Sequence, residues 1–167
     1  MESAMTLVDE VLAANEEYAE GFTKGELPMP PGRKVAVVAC MDARLDPAKA
    51  LGLQEGDAHV IRNAGGRAAD ALRSLVISQR LLGTQEVLVV HHTDCGMLTF
   101  DNSTLYGICQ EQLGADASDI DFLPFADLEQ SVRDDVELIR SSPLMAKDTP
   151  VTGFVYDVTT GKIHEVA

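Results

Sequence analysis

Residues 34–44 read KVAVVACMDAR, an apolar run rich in β-branched side chains that ends in a cysteine, an aspartate and an arginine. The run over 34–39 predicts a buried strand of a parallel sheet, because such strands are covered on both faces and lack polar alternation. Cys40, Asp42 and Arg44 then lie where the chain leaves this strand. Ligands of open α/β sheets bind beyond the carboxyl ends of the strands, so this segment indicates both a fold class and a place for chemistry.

The rest of the sequence alternates strand-like and helix-like segments. The apolar runs predict further strands over 59–62, 86–91 and 152–158 and a short edge strand over 162–166, and the helical spacing predicts helices over 68–82, 102–113 and 126–141. This alternation implies an α/β fold, a single domain with a mostly parallel central β-sheet flanked by helices. Right-handed crossovers then place the loops that follow the strands on one edge.

The N-terminal part predicts a separate helix on an arm. Residues 3–20 have a mostly apolar face at helical spacing, and Thr6 with Asp9 forms a weak capping arrangement. Gly21 and the segment LPMPPG over 27–32 end this helix and form an extended connector. We expect such a helix to pack on a partner subunit.

The chain therefore divides into an arm and a core within one domain over residues 1–167. The N-terminal helix and arm take residues 1–33, and the α/β core takes residues 34–167. A length of 167 residues suits one domain with a sizeable core.

Composition excludes several classes of protein. The net charge of −14 argues against nucleic-acid binding and against anionic membranes, since both need Lys and Arg. No apolar run is long enough to span a bilayer. The N-terminus carries Glu2, Asp9 and Glu10 rather than a basic start and an apolar block, so we expect no secretory signal and a cytoplasmic location. Three cysteines, an odd number, favour metal or catalytic use over disulfides.

A second polar cluster follows the predicted strand over 86–91. It reads His92-Thr93-Asp94-Cys95-Gly96, and the His-x-x-Cys pair supplies an imidazole and a thiolate to add to Cys40. Two thiolates and one imidazole form a donor set that suits Zn²⁺. Structural zinc sites take four protein ligands, whereas a site with three leaves a position for water.

Asp42 and Arg44 are the natural partners of such a site. A carboxylate beside an arginine stays ionised and is held in one orientation. Asp42 can then accept a hydrogen bond from a zinc-bound hydroxide. It can also swing in as a fourth ligand, and both arrangements remain open at this stage.

Three motifs in one order resemble those of beta-class carbonic anhydrases. They are Cys40-x-Asp42-x-Arg44, the run VIRNAG over 60–65, and His92-x-x-Cys95-Gly96, within a match over residues 34–113. The short length and the wording HHTDCGM over 91–97 look like the compact actinobacterial branch.

The resemblance implies a zinc-dependent reversible hydration of CO₂ to bicarbonate, in which zinc-bound hydroxide attacks CO₂. It implies one zinc ion per chain, held by Cys40, His92 and Cys95. It also makes Asp42 and Arg44 the catalytic dyad that gates the zinc site and orients the zinc-bound hydroxide.

The resemblance further implies substrate binding beside the metal and an oligomer. The backbone N–H of Gly96 or of its neighbours would help to bind a substrate oxygen. From its own chemistry, Met97 is a soft, adaptable side chain that would line a larger, more apolar pocket, which favours sulfur substrates. The family builds its site at a subunit interface, so a homodimer or a homotetramer is expected, clasped by the N-terminal helix.

Two residues depart from the family pattern. Ala43 stands where many members have Ser, and Met97 stands where many have Gly or Ala. The same branch includes hydrolases of carbonyl sulfide and carbon disulfide, which are linear molecules like CO₂. Alternative functions are therefore such a hydrolase, or a non-catalytic zinc or bicarbonate-sensing protein with Asp42 locked onto the metal.

Other polar residues near these motifs have structural interpretations. We expect His91 to be packed or hydrogen-bonded, Asp94 to brace its loop or cap a helix, and Arg62 and Asn63 to satisfy loop carbonyls. Cys109, on the predicted helix over 102–113, is expected to pack in the core.

Overall fold

The computed structural model describes residues 4–167, which form one α/β domain around a five-stranded sheet. The strands are β1 Val35–Cys40, β2 Ala58–Asn63, β3 Glu86–His92, β4 Val151–Tyr156 and β5 Ile163–Glu165. The helices are α1 Leu7–Glu20, α2 Pro47–Leu51, α3 Ala68–Leu82, α4 Asn102–Leu113 and α5 Leu128–Ser141. The predicted fold class is confirmed.

The sheet has the order β2-β1-β3-β4-β5 and is parallel except for the antiparallel pairing of β4 with β5. Strand β1 lies between β2 and β3, and all six of its residues are buried, which explains its unbroken apolar sequence. The chain passes from β1 to β2 on one side and returns to β3 on the other. The carboxyl ends of β1 and β3 therefore flank the switch point at which ligands bind in such sheets.

Two apolar clusters cover the two faces of the sheet. One packs α3 and α5 against the strands and contains Leu75, Val136 and Ile139. The other contains Cys40, Cys95, Leu45 and Met97, with loop aromatics around them. The metal-site motifs thus belong to the second cluster, at the end of the sheet.

Most predicted boundaries agree with the structure to within two residues, and the differences that remain have local causes. Helix α5 begins at Leu128 rather than at 126, because the Asp127 side chain caps it by accepting from Gln130 N at 2.9 Å. Helix α2 was not predicted, although Asp46 as its N-cap and Pro47 in its first turn are ordinary start signals.

The N-terminal helix is confirmed in kind but begins later than predicted. Thr6 and Asp9 form the expected capping box, and α1 begins at Leu7; residue 3, where the prediction began, lies outside the described residues. No residue of α1 is buried. Among residues 4–167, no helix is long and apolar enough to cross a membrane.

Candidate metal centre

Three buried side chains meet at the carboxyl ends of β1 and β3. Cys40 is the last residue of β1, His92 is the last residue of β3, and Cys95 follows three residues later. Their donor atoms all lie within 4.8 Å of one another, and all three residues are buried. The predicted convergence of these residues is confirmed, and its cause is the parallel pairing of two neighbouring strands.

The His92 ring is oriented by its own loop. Nδ1 lies 2.7 Å from the Thr93 carbonyl oxygen, so Nδ1 carries the proton and donates it. The other ring nitrogen, Nε2, faces the two cysteines. Among the described residues, it is the only buried side-chain nitrogen or oxygen without a hydrogen-bond partner. Unpaired buried polar atoms are costly, and a metal ion at the cluster would satisfy this one.

The ionisation of Cys40 and that of Cys95 are linked, because the two side chains lie close together. The Cys95 side chain donates to Cys40 and lowers the pKa of Cys40 to about 4, against the opposing effect of burial. The His92 ring and the backbone N–H groups of Asp42 and Gly65 add to the lowering of the Cys40 pKa. The Cys40 thiolate, together with burial, raises the pKa of Cys95 far above its ordinary value. Two sulfurs and one imidazole thus lie close together in a buried site, where a bound cation would replace their protons.

This donor set fits zinc. Two sulfurs and one imidazole nitrogen are ligands that Zn²⁺ prefers, and three protein ligands are typical of a catalytic zinc site. Burial works against protonation of His92, but the nearby Cys40 side chain, the Thr93 carbonyl and Asp42 outweigh it and raise the pKa of His92. The cluster is therefore electrostatically poised for a cation.

Asp42 and Arg44 form a close pair beside the cluster. Arg44 donates from Nε to Asp42 Oδ1 at 3.0 Å and from Nη2 to Asp42 Oδ2 at 2.9 Å. These bonds hold the pKa of Asp42 well below its usual range. Asp42 Oδ2 also lies 3.7 Å from His92 Nε2, so the carboxylate faces the arginine and the cluster together.

Arg62 and Asp94 stabilise the loops that carry the ligands. Arg62 donates to the carbonyl oxygens of Cys40, Asp42 and Leu45 at 2.8–2.9 Å, so its predicted structural role is confirmed. Arg44 Nη1 donates to Asp94 Oδ2 at 2.8 Å, which ties the two ligand loops together.

The expectations for two residues near the site have different outcomes. His91 is fully buried and hydrogen-bonded, as predicted. Cys109 does not pack in the core, and that prediction was wrong. Cys109 is half-buried. The helix that carries it, α4, lies on the surface and has no buried residue.

A cavity of about 390 Å³ opens beside Cys40 and Cys95. Gly96 and Met97 line this cavity. Among the described residues that line it, Asp42 is the one with a charged side chain. Its apolar wall includes Phe100, Leu105 and Phe122, which sequence reasoning missed. No local pattern marks these three residues, because the folding of α4 and of the loop before α5 brings them to the site.

Comparison with known proteins agrees with this geometry. The sequence profile described as carbonic anhydrase matches residues 35–163. Beta-carbonic anhydrase 1 of Mycobacterium tuberculosis is 50% identical over 97% of this chain and 99% of its own length. A carbon disulfide hydrolase of Acidianus sp. is 35% identical, over 95% of this chain and 88% of its own.

Solved structures give the same result. A carbonic anhydrase from Glaciozyma antarctica is 50% identical and superposes with a TM-score of 0.91, covering 98% of this chain and all of that one. The carbonic anhydrase from Streptococcus mutans is 48% identical, with a TM-score of 0.93 and coverage of 99% and 100%. With this profile match, these identities and the buried Cys-His-Cys cluster, the chain belongs to the carbonic anhydrase family, in its beta class.

Proposed function

We propose that this chain is a zinc-dependent carbonic anhydrase that interconverts CO₂ and bicarbonate, with Cys40, His92 and Cys95 as the metal ligands. The observation that carries the proposal is the unpartnered Nε2 of His92, buried within 4.8 Å of the sulfurs of Cys40 and Cys95, and these two cysteines line an apolar cavity. Zinc held by such a set acidifies a water molecule and so supplies a nucleophile near neutral pH.

Asp42 and Arg44 are proposed as the catalytic dyad. The carboxylate remains ionised because Arg44 grips both of its oxygens. It can therefore accept a hydrogen bond from the attacking water and hold the lone pair of that water towards the substrate. Arg44 is itself fixed by Asp94, so the Asp42 carboxylate has a defined direction.

Gly96 and Met97 are proposed to contact the substrate. Both line the cavity, and Met97 is almost fully buried between the cluster and Gly65. A small, linear and uncharged molecule suits the apolar wall, because it loses little hydration on entry. The product bicarbonate is an anion, and the same wall favours its release.

A second candidate function is hydrolysis of carbonyl sulfide or carbon disulfide at the same site. Two observations favour it: the apolar wall of the cavity, and the 35% identity to a carbon disulfide hydrolase. Both substrates are linear like CO₂ and more apolar, so the same nucleophile and the same cavity could serve them.

Stopped-flow CO₂ hydration by the zinc-loaded protein tests the proposal. We expect a kcat/KM on the order of 10⁷ M⁻¹s⁻¹ or above, within the usual range of fast enzymes. Asp42→Asn should keep zinc and lower kcat/KM by about 10- to 100-fold, the typical cost of removing a group that orients a metal site.

Asp148→Asn is the matched control, because Asp148 is exposed in the loop before β4, at the end of the sheet opposite to the site. Its activity should equal that of the wild type. Full zinc occupancy without CO₂ hydration would contradict the proposal. Turnover of carbon disulfide or carbonyl sulfide by that same sample would then establish the second candidate.

We also propose that the enzyme is a cytoplasmic homodimer or homotetramer in which α1 packs on a partner copy. Val8, Val11 and Leu12 are between 54% and 63% exposed, and such a run of apolar surface is normally covered. None of the three cysteines forms a disulfide, which suits a reducing compartment.

Sedimentation velocity tests the assembly. The wild type should sediment as a dimer or tetramer, and Val8→Glu with Leu12→Glu should shift it towards a monomer. Glu16→Gln and Glu17→Gln on the same helix form the control pair and should leave the wild-type species unchanged. A monomeric wild type at micromolar concentration would refute the proposed assembly.

A further inference from the structure

Asp135 on α5 is a buried carboxylate that contacts His91, the residue before the His92 ligand. Asp135 is 1% exposed, and the proposed reaction does not use it. Arg67 donates to it from Nη2 to Oδ1 at 2.9 Å and from Nε to Oδ2 at 3.1 Å. His91 Nε2 lies 3.1 Å from Oδ2, and the backbone N–H of Ala68 donates to the same oxygen at 3.1 Å. A buried charge persists only with partners of this kind.

Arg67 connects this carboxylate to the turn that leaves β2. Its backbone N–H donates to Asn63 Oδ1 at 2.7 Å, and Asn63 Nδ2 donates back to the Arg67 carbonyl at 3.1 Å. Its guanidinium also donates to the Leu123 carbonyl at 3.0 Å and lies 5.1 Å from the Phe125 ring centre. The position of residues 64–66 therefore depends on where Arg67 is held.

That turn touches the Cys40 ligand directly. Gly65 lies beside Cys40 on the wall of the cavity. Gly66 packs so closely that a Cβ atom there would lie 2.9 Å from the backbone nitrogen of Cys40. The Gly66 carbonyl in turn accepts from His91 Nε2 at 3.0 Å, and His91 precedes the His92 ligand.

We propose that Asp135 is a positioning residue for the zinc site, acting on Cys40 through Arg67 and the turn at Gly65, and on His92 through His91. This inference rests on the proposed function, since it assumes that these residues hold zinc. Groups that orient metal ligands are worth about 10- to 100-fold in metal affinity. Asp135 touches no ligand itself, so its effect is on the geometry and not on the donor set.

Zinc competition against a chromophoric chelator, together with the absorption spectrum of the cobalt-substituted protein, tests this role. Asp135→Asn has nearly the same shape as the wild type but lacks the charge that holds Arg67. We expect it to bind zinc about 10- to 100-fold more weakly. We also expect its thiolate-to-cobalt absorption band to move, which a loss of fold stability alone would not cause.

Gln79→Ala is the matched control. Gln79 is also nearly buried, and its replacement removes three hydrogen bonds, to Thr149 Oγ1 and from Ala146 N and Arg80 Nη2, but it lies at the far end of α3. Both variants are compared at a temperature at which circular dichroism shows them folded. The control should be less stable than the wild type yet keep its zinc affinity and cobalt spectrum.

The outcomes separate this inference from the proposed function. Wild-type affinity and spectrum in folded Asp135→Asn, or equal losses in Gln79→Ala, would overturn the inference alone. If Asp135→Asn does not fold, Arg67→Lys keeps the ion pair while losing the two-pronged grip, and the same expectation and the same refutation apply to it. A wild-type protein that takes up no zinc would overturn both the proposed function and the inference.

Discussion

Cys95→Ala is expected to lower the zinc affinity by more than about 100-fold and to reduce CO₂ hydration to near the uncatalysed rate. Zinc peptides with four ligands bind with roughly 10–16 kcal/mol, so one ligand contributes on the order of 3 kcal/mol. Each 1.4 kcal/mol corresponds to about a tenfold change in affinity. The remaining cysteine and histidine cannot restore the donor set. Metal analysis after dialysis against a chelator, with stopped-flow hydration on the same samples, measures both effects.

Cys109→Ala is the control, since Cys109 is the third free cysteine and lies half-buried on α4, outside the cluster. It should keep one zinc per chain and full activity. The pair of variants thus separates the loss of a ligand from the loss of any thiol. If Cys95→Ala kept one zinc per chain with full activity, the ligand assignment would be wrong.

The donor cluster could be predicted from the sequence because its information is local. Cys40 ends an apolar run and His92 ends another, and parallel pairing of neighbouring strands brings such ends together without further assumptions. The spacing of His92 and Cys95 then needs only a tight loop. The same reasoning placed α3 and α4 to the residue, since a glycine with positive φ follows each helix.

The supports of the site could not be predicted in this way. In sequence, Asp135 is one of two adjacent aspartates in an acidic helix. Asp134 is exposed and bonds only to Gln130 of its own helix, whereas Asp135 is buried against Arg67, 68 residues earlier in the chain. The rotation of α5 on the sheet decides between them, and that rotation is a property of tertiary packing. The aromatic residues of the cavity wall could not be predicted for the same reason.

Gly66→Ala is expected to destabilise the protein by about 2–5 kcal/mol and to weaken zinc binding as well. The residue has φ +63°, where a side chain costs about 1–2 kcal/mol. An added Cβ would also lie 2.9 Å from the Ala39 carbonyl carbon and 2.9 Å from the Cys40 nitrogen. Both are backbone atoms at the carboxyl end of β1, which is paired with a strand on each side, and such overpacking costs about 1–3 kcal/mol. Urea unfolding of the metal-free protein measures the first effect, and chelator competition measures the second.

Gly114→Ala isolates the clash from the backbone strain. Gly114 has φ +62° at the end of α4, and an added Cβ there would meet nothing within 4 Å. Its cost should be only the strain, about 1–2 kcal/mol, with zinc affinity unchanged. The difference between the two variants then measures how tightly the turn at Gly66 presses on the strand that ends in Cys40. Equal losses of stability, with zinc affinity intact in both, would mean that the strand accommodates the methyl group and that the turn does not fix the ligand.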